Sequence, residues 1–213
     1  MIAVITGSTG LVGSLLISNL LTEKTISQVI SVTRKPLGLN NPKLKEIIIP
    51  DFSNLLDYKE ELHGDIFFCA LGTTIKVAGS KENFKRIDYD AIVNFGKIAE
   101  YHQAKSLTVI SANMADAHSA VFYNRVKGET EQALMSMNFN RLILFRPGLL
   151  IGERSVKRLG EEMAMKVINI LSPLLSSRFV KKMATNIDVL AIRMQEEGQN
   201  LTSKIKIINA EDI

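Results

Sequence analysis

The 213-residue chain has a single cysteine, no tryptophan, five prolines and three histidines. Each scarcity excludes something. One cysteine, Cys69, rules out an intramolecular disulfide framework and points to a reducing compartment, read here as the cytoplasm. His63, His102 and His118 are far apart in sequence and have no metal-ligand spacing, so no metal is expected. Long apolar runs are also missing. Residues 1 to 21 are apolar but lack a basic leader and carry glycines and hydroxyls, which reads as a buried strand and helix and not as a signal peptide or anchor. No other stretch approaches the roughly 18 apolar residues of a membrane span, so no transmembrane segment is expected. Charge of one sign is not concentrated either: 26 lysines and arginines against 22 acids, in short scattered clusters, do not argue for nucleic acid. What remains, 46% hydrophobic and 23% charged residues, suits a globular protein with one substantial core, taken as a single domain over residues 1–213.

Within it, short apolar runs alternate with longer amphipathic segments. "IAVIT", "QVISVT", "EIIIP", "DIFFCA", "SLTVIS" and "RLILFRP" are rich in β-branched or aromatic residues and read as strands covered on both faces. Helices are expected at Leu11 to Leu21, Asp88 to His102 and Ala120 to Met137. Strand, helix, strand in repetition predicts an α/β fold, a Rossmann-like doubly wound parallel sheet with right-handed crossovers. After "RPGLLIGE" the rhythm changes. Val156 to Lys182, within residues 151–185, reads as a small C-terminal helical excursion, either a substrate-side lid or a packing subdomain. Its basic clusters, Arg154, Lys157, Arg158 and Arg178, Lys181, Lys182, face an anionic substrate, a membrane surface or only water, and water is the favoured reading. Thr185 and Asp188 have capping-box spacing for a further helix, and "KIKIIN" reads as a last strand.

The first strand runs into "TGSTGLVG". In a doubly wound sheet the turn after the first strand is the usual phosphate site. Gly7 permits the sharp turn, Gly10 lets the backbone approach a diphosphate, and Gly13 lets the helix pack on the strand, with its N-terminal amides supplying positive potential. The spacing is GxxGxxG, not the GxGxxG fingerprint. Gly7, Ser8, Thr9, Gly10, Leu11, Val12 and Gly13 are therefore a candidate dinucleotide cradle. At the end of the second strand, where an NAD site usually carries an acid, the chain has Thr33, Arg34 and Lys35. Arg34 and Lys35 suit a 2′-phosphate, so NADP(H) is expected in preference to NAD(H), which remains possible. Asp51, followed by Phe52, is a candidate acceptor for the adenine amino group. The small residues of "CALGTT" would let the chain from Ala70 through Leu71 and Gly72 to Thr73 pass close to the cofactor. Cys69 reads as a buried thiol.

Tyr123 and Lys127 are four residues apart and share a helix face. A neighbouring ammonium favours the phenolate, bringing a tyrosine toward the range where it exchanges a proton with a carbonyl or alcohol. Tyr101 and Lys105 have the same spacing, but they precede "SLTVIS", at the amino edge of the sheet. Tyr123 lies beyond the carboxyl end of that strand, where Ser111 can meet a substrate oxygen.

The combination of "TGSTGLVG", Ser111 twelve residues before Tyr123, "YNRVK" and "FRPGLLIGE" resembles the short-chain dehydrogenase/reductase superfamily. "FCALGTT", "KGETE" and "RPGLL" in that order make it similar to the atypical Tat-interacting-protein-like NAD(P)-binding subgroup. The resemblance covers nearly the whole chain. It implies a Rossmann fold binding NADP(H), with Tyr123 as proton donor or acceptor, Lys127 gripping the nicotinamide ribose and lowering the tyrosine pKa, and Ser111 polarising the carbonyl. Pro147, Gly148, Leu149 and Leu150 would line the nicotinamide pocket. Asp88 stands where many members carry an asparagine that supports a proton relay, and it either alters that relay or simply caps its helix. The expected function is an NADP(H)-dependent oxidoreductase acting on a small carbonyl or alcohol, as monomer or homodimer. The alternative is an NADPH-binding regulatory protein with little turnover.

Overall fold

Fully apolar strands need cover on both sides, and the chain provides it by wrapping helices over the two faces of one sheet. The computed structural model describes residues 1–152, 184–200 and 204–213. In chain order these form β1 (Ile2–Thr6), α1 (Leu11–Thr22), β2 (Gln28–Thr33), β3 (Leu44–Ile48), a 3-10 helix (Phe52–Glu61) and β4 (Ile66–Cys69). Next come α2 (Ile75–Ala78), α3 (Lys81–Lys85), a π-helical segment (Arg86–Ala91), α4 (Ile92–Tyr101), β5 (Ser106–Ile110), α5 (Phe122–Met135) and β6 (Leu142–Arg146). β7 (Leu149–Ile151), β8 (Ala184–Asn186), α6 (Ile187–Gln199) and β9 (Ile205–Asn209) complete the described elements before a closing 3-10 turn (Ala210–Asp212). Among the described residues no helix is long and apolar enough to cross a membrane.

The main sheet has seven strands in the order β3-β2-β1-β4-β5-β6-β9, and every pairing in it is parallel. This is the Rossmann-like doubly wound arrangement. The strand order reverses between β1 and β4, where Thr6 is level with Cys69, and such a switch point opens a crevice at the carboxyl ends of the strands. β7 and β8 form a separate parallel pair. On one face, Leu16, Ile17 and Leu20 of α1 and Leu190 and Met194 of α6 pack with Ile5, Phe68 and Ile143. On the other, Phe95 and Ile98 of α4, Leu134 of α5 and Leu55 pack with Val4, Phe67 and Leu144.

A charged cluster fastens α6 to the sheet. Arg141, only 2% exposed, donates from its Nη2 to Glu197 Oε2 at 2.8 Å, and Lys206 Nζ of β9 donates to Glu197 Oε1 at 2.6 Å.

Several element boundaries differ from the sequence reading, each for a local reason. β3 begins at Leu44 and ends at Ile48, so it starts two residues before "EIIIP" and takes in only Glu46 to Ile48 of it. Asp51 lies past its end and caps the 3-10 helix, accepting from Ser53 N at 2.9 Å. The helix expected from Asp88 begins at Lys81, where the Ser80 hydroxyl accepts from Asn83 N, and Asp88 lies inside the π-helical segment. Asp88 is therefore not a cap. The Thr185 capping box is also corrected: Asn186 caps α6, its Oδ1 accepting from Asp188 N and Val189 N, while Thr185 is a strand residue of β8. Val156 to Lys182 and its basic clusters lie outside the described residues.

Candidate active site

Six loops singled out in the sequence leave the same edge of the sheet, following β1, β2, β3, β4, β5 and β6. The first is held by steric necessity. Gly7 has φ +83°, and a Cβ there would overlap the Ala70 backbone, while a Cβ on Gly13 would overlap the Gly7 carbonyl. These two glycines let β1, β4 and α1 approach as closely as they do. Gly10 N donates to Gly7 O at 2.9 Å and Gly10 is the N-cap of α1. It brings no side-chain cap, and the first turn carries no acid, so the amide end of a twelve-residue helix is left for an anion. Ser8 is the exception in this turn. It is buried, and its hydroxyl lies 2.6 Å from the Ser31 hydroxyl of β2, so its side chain ties the two strands together. Val12 is likewise buried in the core, whereas Thr9 is exposed.

Beyond β2, Arg34 and Lys35 are exposed, and the Thr33 hydroxyl donates to the Lys35 carbonyl at 2.7 Å, which turns the chain. A third cation joins this edge. Arg86, from the π-helical segment, stands 3.8 Å from Asp51. Hydrogen bonds from Ser53, then the Arg86 charge, hold the Asp51 carboxyl below its ordinary pKa. Nothing in local sequence ties Arg86 to this edge, since it arrives on a different crossover. Phe52 packs against the core. After β4, Ala70 N donates to Thr6 O at 2.9 Å and keeps the Ala70 to Thr73 loop beside the glycine turn. Cys69 is buried, and burial pushes its thiol up to about 12, so it is no nucleophile at neutral pH.

Ser111 directly follows β5, with its amide donating to Phe145 O at 2.7 Å. Its hydroxyl is buried and has no hydrogen-bond partner among the described residues. A buried polar group without a partner is costly, and Ser111 is therefore a candidate contact for a ligand atom. The following loop is pressed onto α5 at Gly128, where a Cβ would overlap the backbone of Asp116 and Ala117. This contact sets the distance between the Ser111 loop and the helix bearing Tyr123 and Lys127. Tyr123 packs on Phe84 with ring centroids 5.4 Å apart. Lys127 is buried, and its Nζ lies 2.7 Å from Asp88 Oδ1. Burial pulls the lysine pKa down, but the Asp88 charge and, less strongly, Tyr123 outweigh it, and the ammonium is held above its ordinary value.

Arg146 at the end of β6 makes a bidentate pair with Glu131, Nε to Oε1 at 3.0 Å and Nη2 to Oε2 at 2.5 Å. Glu131 is one turn along α5 from Lys127, so this fork fixes the helix against the strand that leads to Pro147. Pro147 O accepts from Asn113 N at 3.0 Å, and Gly148 N donates to the Thr185 hydroxyl at 3.0 Å, while Leu149 and Leu150 continue into β7. The second tyrosine and lysine pair is separate. At the amino edge Tyr101 donates to Glu60 at 2.7 Å and Lys105 pairs with Asp65 at 2.9 Å. His63 and His102, 39 residues apart, meet at the same edge with their Nδ1 atoms 3.2 Å apart. Among the described residues no group of three or more metal-ligating side chains forms.

No family model matches the chain. It is 30% identical to the mitochondrial protein FMP52 of Candida albicans, over 98% of this chain and 95% of that protein. It is 29% identical to HTATIP2 of Rattus norvegicus, over 91% and 81% of the two chains. Among solved structures, MoeE5 in complex with UDP-glucose and NAD superposes with a TM-score of 0.71 at 14% identity, covering 98% of this chain and 75% of that one. The oxidoreductase ylbE of Lactococcus lactis superposes with a TM-score of 0.65 at 19% identity, covering 96% and 89%. The FMP52 relatives are named as mitochondrial proteins, and this overturns the cytoplasmic expectation. The lone cysteine registers a reducing environment and cannot register which compartment supplies it. With its Rossmann-like sheet and near full-length similarity to FMP52, the chain belongs to the atypical short-chain dehydrogenase/reductase superfamily, in the Tat-interacting-protein-like group.

Proposed function

We propose that the protein is an NADP(H)-dependent oxidoreductase acting on a small carbonyl or alcohol. The observation that carries this reading is the buried Ser111 hydroxyl beyond β5, without a hydrogen-bond partner among the described residues, on the same sheet edge as a helix presenting Tyr123 and a charged, buried Lys127. The residues present fit a dinucleotide, because the glycine turn leaves the amide end of α1 uncapped beside a loop of small residues. When bound, the nicotinamide supplies or accepts the hydride. The chain's own groups do the rest. The α1 amides hold the diphosphate, and Lys127 holds the nicotinamide ribose. Ser111 donates a hydrogen bond to the substrate oxygen as negative charge develops on it. Tyr123 gives that oxygen its proton in reduction and takes it back in oxidation.

Preference for NADP(H) follows from Arg34 and Lys35, exposed at the end of β2 where no carboxylate stands. Hydrogen bonds to a charged group contribute about 1.5–3 kcal/mol each. Arg34→Ala is therefore expected to weaken NADPH binding by about 10- to 100-fold and leave NADH binding unchanged, read by fluorescence titration of each cofactor. Equal affinities of the wild type for NADPH and NADH would overturn the preference.

A second reading, an NADPH-responsive regulatory protein, draws support from the acid at position 88, which pairs with Lys127 where many members of the superfamily carry an asparagine that supports a proton relay. A screen of aldehydes and ketones for NADPH oxidation decides between the two. Steady turnover with any of them establishes the enzyme, and tight NADPH binding with none turned over favours the regulator.

A further inference from the structure

We propose that Asp88 is a positioning residue that locks Lys127 and the loop after β4 in the arrangement the nicotinamide ribose requires. The inference rests on the cofactor-binding reading above. Three contacts converge on this one residue, which has no exposed surface. Its Oδ1 lies 2.7 Å from Lys127 Nζ on α5. Its Oδ2 accepts from Thr73 N in the loop after β4 at 3.0 Å. Its main-chain carbonyl lies 2.8 Å from the Thr130 hydroxyl, again on α5. The π-helical segment from Arg86 to Ala91 is what places the residue there, since a widened turn alters the i to i−4 ladder, leaves a carbonyl available to a side chain and shifts the side chains that follow. A Cβ on Gly72 would stand 3.7 Å from both Asp88 Oδ1 and Lys127 Nζ, so the pair lies directly under the bare stretch of that loop.

An asparagine at this position could keep the Thr73 bond but could not neutralise a buried ammonium. The groups whose charge Lys127 feels are Asp88 from the π-helical segment, Tyr123 from its own helix and Cys69 from β4. Burial keeps the Cys69 thiol protonated, and Asp88 is the carboxylate in direct contact with the ammonium, at 2.7 Å, which makes it the counter-charge. Burying an ammonium without one favours the neutral amine. Asp88 thus keeps Lys127 both charged and stationary, so the ribose contact forms without a titration.

The test is NADPH affinity as a function of pH, by fluorescence titration from pH 6 to 9, in wild type, Asp88→Asn, Tyr123→Phe and the variant carrying both changes. Wild type and Tyr123→Phe are expected to show parallel, nearly flat profiles. Asp88→Asn, alone or with Tyr123→Phe, is expected to lose about tenfold or more in affinity as the pH rises, because its lysine deprotonates within that range. Profiles of Asp88→Asn parallel to wild type overturn the proposal while leaving cofactor binding intact. Failure of the wild type to bind NADPH at any pH overturns the cofactor reading and this inference together. If Asp88→Asn does not fold, recovery of folding in Asp88→Asn/Lys127→Met supports the coupling. Failure to recover makes Asp88 a folding residue alone and overturns it.

Discussion

Tyr123→Phe is expected to lower turnover by about 10²–10⁴ while leaving NADPH affinity within about twofold of wild type. The change removes one oxygen and nothing else. The ring keeps its packing on Phe84, Lys127 keeps its pair with Asp88, and the glycine turn is untouched. Loss of stability or of cofactor binding therefore cannot account for lost activity, and the measurement is steady-state kinetics on the substrate a carbonyl screen provides, beside an NADPH titration. Turnover equal to wild type would remove Tyr123 from proton transfer. Ser111→Ala makes a useful companion, because its hydroxyl has no partner among the described residues whose loss would disturb the fold.

Glu197→Ala is expected to have the largest effect on stability, about 3–5 kcal/mol. Glu197 is the acceptor for Arg141 and Lys206, and Arg193 lies 3.7 Å from its Oε1. Removing the carboxylate takes the Glu197 anion away from the almost fully buried Arg141 guanidinium. At about 2–4 °C per kcal/mol for a chain of this size, the midpoint of thermal unfolding should fall by roughly 6–20 °C. Arg141→Met together with Glu197→Ala should recover much of the loss, because an apolar side chain of similar volume carries no charge to be compensated. A fall of under about 1 kcal/mol in the single variant would show that Glu197 is not what satisfies the arginine.

The parts of the fold that were legible were those whose cause is local. "IAVIT" and "QVISVT" coincide with β1 and β2 because a continuous β-branched run next to a turn signal leaves little choice of boundary. The glycine turn was equally legible, since the steric requirement of Gly7 and Gly13 arises within a few residues of each. The carboxyl edge followed from topology, which also separated Tyr123 from the look-alike Tyr101. What escaped was set by contacts across the sequence. Asp88 looked like a cap because a π-helical turn leaves no mark in hydrophobic spacing, and its partner Lys127 is 39 residues away. Arg86 reaches the Asp51 edge, and Arg141 finds Glu197, only after crossovers have been made. The Asn186 cap was missed because Thr185 offered the same chemistry one residue earlier, and only the β7–β8 pairing decides between them.

The sheet order has a consequence for biosynthesis. β9, which pairs along the whole of β6 from Leu142 to Arg146, leaves the ribosome after the six other strands of the main sheet. Until Ile205 to Asn209 emerge, β6 is an open edge rich in leucine, isoleucine and phenylalanine, with unpaired amides and carbonyls that invite pairing with another chain. The loops that follow β1 to β6 can therefore take shape during translation, but protection of the β6 edge waits for Ile205 to Asn209, and a ribosome stalled short of them would hold a nascent chain with its flank unguarded.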